Sequence, residues 1–136
     1  MTDCLFCKIV DGELAAQIIH EDARTIAFMD IAPATRGHCL VVPRAHTDDL
    51  LTADTRDVAA CITVAQELAR RAYEDLGAAG VNVLQSSGAA AWQSVFHLHF
   101  HVIPRYPGDP LELPWVHREG EPEEIAEAAA LLRDEG

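Results

Sequence analysis

Residues 97–102 alternate strictly between histidine and an apolar residue. The histidines are His97, His99 and His101, and each is followed directly by an apolar side chain. Because successive side chains of a strand point to opposite faces, the pattern predicts a strand, within residues 93–105, with three imidazoles on one face. Same-face neighbours lie about 7 Å apart, so the row could surround one phosphate group or one metal ion. A helix is disfavoured, because Pro104 would end it.

Four further segments have the composition of short strands. Residues 17–21 and 25–30 are separated only by a turn, which predicts a hairpin. Residues 38–43 are almost entirely apolar, as is typical of a strand buried at the centre of a sheet. Residues 81–85 form the fourth segment, and a loop of small residues, 86–92, connects it to the histidine strand. That composition suits either a backbone that approaches an anion or a flexible connector.

Residues 52–76 carry the spacing of one long amphipathic helix. Thr52 or Asp54 is the expected N-cap, and Gly77 is the expected end. The expected apolar stripe consists of Val58, Ile62, Ala65, Leu68, Ala69, Ala72 and Leu76. Much of this stripe is alanine, which favours cover by a second copy of the chain. A second helix is predicted to open at Pro122 and to run to residue 133.

Length and charge restrict the function classes. The 136 residues suit one domain, 1–136, and contain no apolar run long enough to cross a membrane and no secretory leader. A formal net charge of −12 argues against a nucleic-acid partner, because phosphates repel an acidic surface. A small nucleotide is not excluded, since a local cluster of histidine and arginine can hold one phosphate.

The four cysteines fall into two groups. Cys39 and Cys61 stand singly in apolar segments, where buried reduced thiols are expected. Cys4 and Cys7 form a close pair that suits a metal or redox centre better than a disulfide framework, with reduced surface thiols as the alternative. This usage predicts a reducing, cytoplasmic location.

The three alternating histidines, followed by apolar residues, resemble the signature of the histidine triad family. The likeness extends to residues 4–9, 28–33, 37–46 and 93–95, in the family's order. It is closest to the bacterial Hint-type branch, whose members hydrolyse nucleotide phosphoramidates and related nucleotidyl bonds. The resemblance implies an α+β fold: an antiparallel sheet of about five strands, one long helix packed on it, and a short C-terminal helix. It also implies a homodimer.

The resemblance also assigns catalytic roles. It makes His99 the nucleophile that attacks the α-phosphorus and forms a covalent nucleotidyl-histidine, which water then hydrolyses. It places His101 on the phosphate, His97 in support of the site, and His38 as a fourth histidine of the pocket. Ser94 is expected to contact the phosphate or the leaving group. Without the flanking matches, a metal bound by the three alternating histidines would be an equally good interpretation.

A nucleoside pocket is implied as well, for a purine nucleotide of the AMP or GMP kind. Asp30 matches the carboxylate that accepts hydrogen bonds from the ribose hydroxyls, while Ser86 and Gln93 are expected nucleotide contacts. Relatives commonly have Asn at the position of Ser86 and Gly at that of Trp92, so a large ring is expected beside the phosphate loop. The expected base-binding residues are Phe6, Ile9, Phe28 and Ile31, for which ordinary core packing is the alternative.

A structural zinc ion is implied at the other end of the site. In relatives with the cysteine pair, two histidines complete a tetrahedral site, which here gives Cys4, Cys7, His46 and His97 as ligands. His97 would then be a zinc ligand and not a catalytic acid.

The expected function is hydrolysis or transfer at the α-phosphate of a purine nucleoside phosphoramidate or a similar adduct. Two alternatives remain at this stage: a non-catalytic nucleotide-binding regulator, and a dinucleoside polyphosphate hydrolase.

Overall fold

The structure, a computed structural model, describes residues 3–133. Its strands are β1 (Ile18–Glu21), β2 (Thr25–Met29), β3 (Cys39–Pro43), β4 (Gly80–Gln85) and β5 (Phe100–Arg105). Its α-helices are α1 (Leu5–Val10), α2 (Thr55–Leu76) and α3 (Pro122–Leu132), and a short 3-10 helix covers Ala89–Ala91. The strands form one antiparallel sheet in the order β1-β2-β3-β5-β4, which confirms the predicted α+β fold.

No helix among residues 3–133 has the length and the apolar character needed to cross a membrane.

The central strand β3 is buried along its whole length because the sheet is covered on both faces. Cys39 and Val41 belong to the core beneath α2, while Leu40 and Val42 belong to a second core beneath α1. Strand side chains alternate between faces, so a strand with two covered faces is apolar at every position. The continuous apolar run in residues 38–43 is thereby explained, and the β1–β2 hairpin is also present.

Helix α2 begins after Asp54, whose side chain accepts a hydrogen bond from the Arg56 N–H, and ends at Gly77 in the left-handed conformation. Both caps were among those predicted. The predicted apolar stripe is wrong at Ile62, which is 45% exposed, and it omitted Cys61 and Val64, which are buried. The buried face consists of Cys61, Val64, Ala65, Leu68 and Ala72. These five residues lie on one side of the helix, and Ile62 points away from that side.

The prediction that the histidine row lies within a strand is wrong for two of its three members. Strand β5 starts at Phe100, so only His101 is in it. The residues before Phe100 lie outside the sheet: the Leu98 N–H donates to the Thr47 carbonyl and not to a neighbouring strand. The alternation of side chains nevertheless continues, and Leu98 packs in the same core as Phe100.

Two terminal helices complete the described chain. Helix α1 was not predicted; its N-cap is Cys4, whose Sγ accepts a hydrogen bond from the Cys7 N–H. Helix α3 begins at Pro122, as predicted, and ends at Leu132, one residue before the predicted end. Its apolar residues Ile125 and Leu132 are exposed within the described structure.

Candidate active site

A cavity of about 310 Å³ lies between α1, the end of β2 and the histidine row. Helix α1 contributes Phe6, and β2 contributes Phe28; the two rings meet edge to face with centroids 5.3 Å apart. Phe6 also meets the His99 ring edge to face at 5.0 Å. The predicted residues that line this cavity are Phe6, Ile9, Phe28, Asp30, Ile31, Ser94, His99 and His101. An apolar slot therefore leads directly to two imidazoles.

The tautomer of His99 is fixed by the backbone. Its Nδ1 lies 2.7 Å from the His97 carbonyl oxygen, and a carbonyl can only accept, so Nδ1 carries the proton. The lone pair of the ring is then on Nε2. Burial lowers the pKa of His99, which keeps the imidazole neutral near pH 7. A neutral imidazole with a lone pair at a defined nitrogen is the form that can act as a nucleophile.

The tautomer of His101 is fixed through His38. The Ala34 N–H donates to His38 Nδ1 at 2.9 Å, so neutral His38 carries its proton on Nε2. That nitrogen lies 2.9 Å from His101 Nδ1, which must accept, and the proton of neutral His101 is then on its Nε2. Burial lowers the pKa of His101 to about 4, with the neighbouring His99 and His38 adding to the effect. His101 is thus a neutral hydrogen-bond donor beside the neutral imidazole of His99.

Asp30 stands at the end of β2, where the chain leaves the sheet. Its Oδ1 accepts a hydrogen bond from the Ala32 N–H at 2.8 Å, and its Oδ2 is 3.5 Å from His38 Nε2. The side chain is only partly buried and lines the cavity. Its carboxylate can therefore accept further hydrogen bonds from a ligand.

Four thiol and imidazole groups converge on the far side of His97. The Cys4 and Cys7 sulfurs each lie 3.4 Å from His97 Nδ1, and Cys7 Sγ lies 3.2 Å from His46 Nδ1. Tetrahedral zinc, with bonds of about 2.3 Å to sulfur and 2.0 Å to nitrogen, requires sulfur–nitrogen separations of roughly 3.5 Å. The four donor atoms lie within 4.8 Å of one another. The donor set and its spacing fit zinc.

The outer contacts of the two histidines are also those of metal ligands. His97 Nε2 lies 2.8 Å from the Pro43 carbonyl oxygen, and His46 Nε2 lies 3.0 Å from Asp48 Oδ1. Both acceptors hold the proton on Nε2, so both Nδ1 lone pairs face the thiols. Metal-bound histidines ordinarily donate their second N–H to such an oxygen.

Asp30, His38 and His101 also lie within metal-binding distance of one another, but their proton arrangement is the reverse. The Ala34 N–H places the proton of neutral His38 on Nε2, the nitrogen that would have to bind the ion. We therefore assign this group to hydrogen bonding. No such cluster in residues 3–133 contains all three alternating histidines, so the structure gives no support to one metal held by that row.

Four predicted site residues lie outside the cavity or only at its edge. His97 is completely buried and turned to the thiols, and its carbonyl is what reaches His99. Gln93 is buried and braces the loop: it accepts from the Gly88 N–H and donates to the Asp48 carbonyl. Ser86 is buried and is not among the residues that line the cavity. Ile31 lines the cavity but is 96% exposed.

The small-residue loop and its Trp92 are also placed away from the cavity. The Gly88 N–H is bound by Gln93, and Trp92 is 62% exposed beside a different cavity formed with residues 111–115. The expectation of a large ring beside the phosphate loop is therefore wrong. Trp92 has a φ of 75°, which turns the chain out of the 3-10 helix and directs the ring outward.

Sequence reasoning missed the groups that fix the imidazoles. The Ala34 N–H and the carbonyls of Pro43 and His97 are backbone groups, so no residue type marks them. Asp48 is the exception, because its position two residues after His46 places a carboxylate within reach of that ring.

The chain is similar to known proteins over most of its length. A HIT domain model matches residues 11–108. An uncharacterized HIT-like protein of Borreliella burgdorferi is 42% identical over 113 residues, which cover 80% of this chain and 80% of that protein. The crystal structure of a Zn-bound histidine triad family protein from Mycobacterium smegmatis superposes with a TM-score of 0.78 at 42% identity, covering 96% of this chain and 95% of that one.

The crystal structure of a histidine triad nucleotide-binding protein from Candida albicans superposes with a TM-score of 0.83 at 29% identity. That match covers 96% of this chain and 94% of the other. A family model that spans most of the chain, a relative above 40% identity and the shared fold lead to one conclusion: the chain belongs to the HIT family.

Proposed function

We propose that the protein hydrolyses or transfers a nucleotidyl group at the α-phosphate of a purine nucleotide adduct of the phosphoramidate type. The observation that carries this proposal is the tautomer of His99, whose Nδ1–H is held by the His97 carbonyl at 2.7 Å while the ring lines a cavity with an apolar slot. The name of the Candida albicans relative, a histidine triad nucleotide-binding protein, supports a nucleotide as the ligand.

The base is proposed to lie in the slot against Phe6, Ile9 and Phe28, with Ile31 covering it at the exposed edge. Asp30 accepts hydrogen bonds from the ribose hydroxyls, because one of its oxygens is bound only by a backbone N–H and the side chain lines the cavity. This placement leaves the α-phosphate between the His99 and His101 rings, whose centroids are 5.0 Å apart.

In the chemical step His99 Nε2 attacks the α-phosphorus, a nitrogen–phosphorus bond forms, and the bond to the leaving amine or oxygen breaks. His101 Nε2–H donates to a phosphoryl oxygen, and Ser94 contacts the phosphate or the leaving group. Water then displaces His99 from phosphorus and releases the nucleoside monophosphate. Splitting the displacement in two avoids direct attack by water on the original bond.

His38 and His97 are proposed to position the reacting groups. His38 holds the tautomer of His101 and His97 holds that of His99, each through one hydrogen bond. Neither needs to touch the substrate, and His97 is completely buried.

Cys4, Cys7, His46 and His97 are proposed to hold a structural zinc ion, in line with the Zn-bound Mycobacterium smegmatis relative. When bound, the ion supplies folding energy by fastening helix α1 to the segment that precedes β5. The same helix carries Phe6 and Ile9, so this link also fixes one wall of the base slot.

The protein is further proposed to act as a homodimer in the cytoplasm, without a nucleic-acid or membrane partner. Exposed apolar side chains on α2 and on the edge strand β4, among them Ile62, Tyr73 and Val83, offer a surface for a second copy. A net charge of −12 argues against binding to polymeric phosphate.

The function is tested with a substrate panel: an adenosine phosphoramidate, a guanosine phosphoramidate, a diadenosine polyphosphate and AMP as a binding ligand. We expect turnover of a phosphoramidate and competitive inhibition by AMP. Preferential turnover of the diadenosine compound would make the protein a dinucleoside polyphosphate hydrolase. Binding of AMP without turnover of any nucleotidyl bond would make it a nucleotide-binding regulator.

A further inference from the structure

A second cavity, of about 440 Å³, lies on the opposite side of the sheet from the active site, between α2 and the strands. Helix α2 contributes Leu68, Ala72 and Leu76, and the sheet contributes Ile19, Met29 and Val102. Its volume is within the range of small-molecule sites, which are mostly apolar clefts of about 300–1,000 Å³ with a few polar groups.

Gly37 shapes one end of this cavity. Its φ of +89° favours glycine, and a Cβ there would overlap Leu76 Cδ1 and press against Pro104 Cγ. Leu76 therefore lies directly against the backbone, and the side-chain volume that another residue would add is absent. Gly37 thus allows Leu76 and Pro104 to approach each other closely at this end of the cavity.

The cavity is lined by more positive than negative side chains, although the chain as a whole is acidic. Two guanidinium groups, those of Arg36 and Arg71, line it together with one carboxylate, that of Asp75. Among residues 3–133 the Arg36 guanidinium has no hydrogen bond or ion pair, and Arg71 meets Asp75 only at 3.8 Å. Both arginines are exposed whereas Ala72 is buried, so the positive charge lies at the solvent side of an apolar interior.

We propose that this cavity binds an amphipathic anion, a medium-chain carboxylate, with the alkyl chain along Leu68, Ala72 and Val102 and the carboxylate at Arg36 and Arg71. Guanidinium groups match a carboxylate in geometry and are weakly hydrated, and burial of the chain removes apolar surface from water. The excess of one positive charge favours an anion over a neutral or cationic amphiphile of the same length.

Two substitutions with opposite expected effects test the proposal, with decanoate, below its micellar concentration, as the probe. Arg71→Gln removes one of the two guanidinium groups that would bind the carboxylate of decanoate. It is expected to weaken decanoate binding about five-fold, the effect of losing a partly exposed ion pair. Asp75→Asn removes a competing carboxylate and is expected to strengthen binding by a similar factor. Arg70→Gln, an exposed neighbour that does not line the cavity, is the matched control and should leave affinity unchanged.

Isothermal titration calorimetry gives the affinities, and a methyl NMR titration locates the ligand. We expect decanoate to shift the methyl signals of Ile19, Met29 and Val102, and to bind more tightly than decanol or decyltrimethylammonium. Absence of decanoate binding, equal affinity for decanol, or insensitivity to both Arg71→Gln and Asp75→Asn would overturn the proposal. So would shifts confined to Ile9 and Ile31 in the active-site cavity, or a change of oligomeric state that shows this face to be covered by a second copy.

Discussion

At the level of single residues, hydrogen bonds in the candidate active site decide which nitrogen of each imidazole carries the proton. Ala34, His38 and His101 form one chain of donors and acceptors, and the His97 carbonyl fixes His99 separately. The histidines are visible in the sequence. Which nitrogen of each ring carries the proton depends on backbone groups in the loops before β3 and β5. The sequence could therefore predict which histidines gather at the candidate site, whereas their tautomers required the structure.

These hydrogen bonds predict how stability depends on pH. The folded protein keeps His101 neutral down to about pH 4, because burial lowers its pKa, whereas an unfolded histidine gains a proton below about 6.5. Unfolding therefore takes up protons in this window, and stability falls as the pH is lowered from about 6.5 to 4. The loss is at most about 1.4 kcal/mol per pH unit for each such histidine.

The change to make is His101→Gln, which removes one of these protonation sites. Urea unfolding at pH 7, 6 and 5 should show a smaller loss of unfolding free energy with falling pH in this variant than in the wild type. His117→Gln, at an exposed histidine, is the control and should keep the wild-type slope. Parallel curves for wild type and His101→Gln would contradict the assignment of a half-buried neutral imidazole.

At the scale of elements, the sequence predicted the strands and α2 well because their hydrophobic periods are long and regular. Prediction from the sequence failed where the hydrophobic pattern is short or interrupted. Helix α1 has six residues and a cysteine cap, so propensity carries little signal there. The histidine segment keeps strand-like alternation although Leu98 bonds to Thr47 outside the sheet, and alternation alone cannot reveal that change of partner.

The end of α2 gives a prediction for one glycine. Gly77 has a φ of +70°, and a Cβ there would meet no other atom, so replacement by alanine costs only the strain of the left-handed conformation. Gly77→Ala should lower the unfolding free energy by about 1–2 kcal/mol in chemical denaturation. Gly80→Ala, at an ordinary φ where a Cβ makes normal contact, is the matched control. Equal effects of the two substitutions would argue against strain at Gly77.

Helix α1 gives a prediction for zinc. Protein purified without chelator should contain about one zinc ion per chain. Cys4→Ser and Cys7→Ser should lower the zinc content and the melting temperature, and should lower Tm more than they lower turnover, because a structural ion supplies folding energy. Cys61→Ala, at a buried thiol far from the cluster, should keep the zinc stoichiometry. Zinc-free protein as purified, with Tm unchanged by these substitutions, would leave Cys4 and Cys7 without a metal role.

At the level of the whole molecule, a single chain exposes apolar side chains and an unpaired sheet edge. Strand β4 is an edge of the sheet, and Val83, Leu84, Ile62 and Tyr73 are exposed near it or on α2. Multi-angle light scattering at micromolar concentration should therefore give the mass of a dimer. Val83→Lys should shift the equilibrium toward monomer by placing a charge on the exposed edge, and Leu131→Lys on α3 is the comparison outside this surface. A stable monomer at that concentration would rule the homodimer out.

The proposed role of His99 as the nucleophile is tested by trapping the covalent intermediate. A reaction with an adenosine phosphoramidate is quenched within the first turnover, and the peptide containing residues 97–101 is sequenced by mass spectrometry. We expect a nucleotidyl group on His99 in the wild type and none in His99→Ala. AMP should still bind to that variant through Phe6, Phe28 and Asp30. An adduct on another residue, or near-normal turnover by His99→Ala, would contradict it.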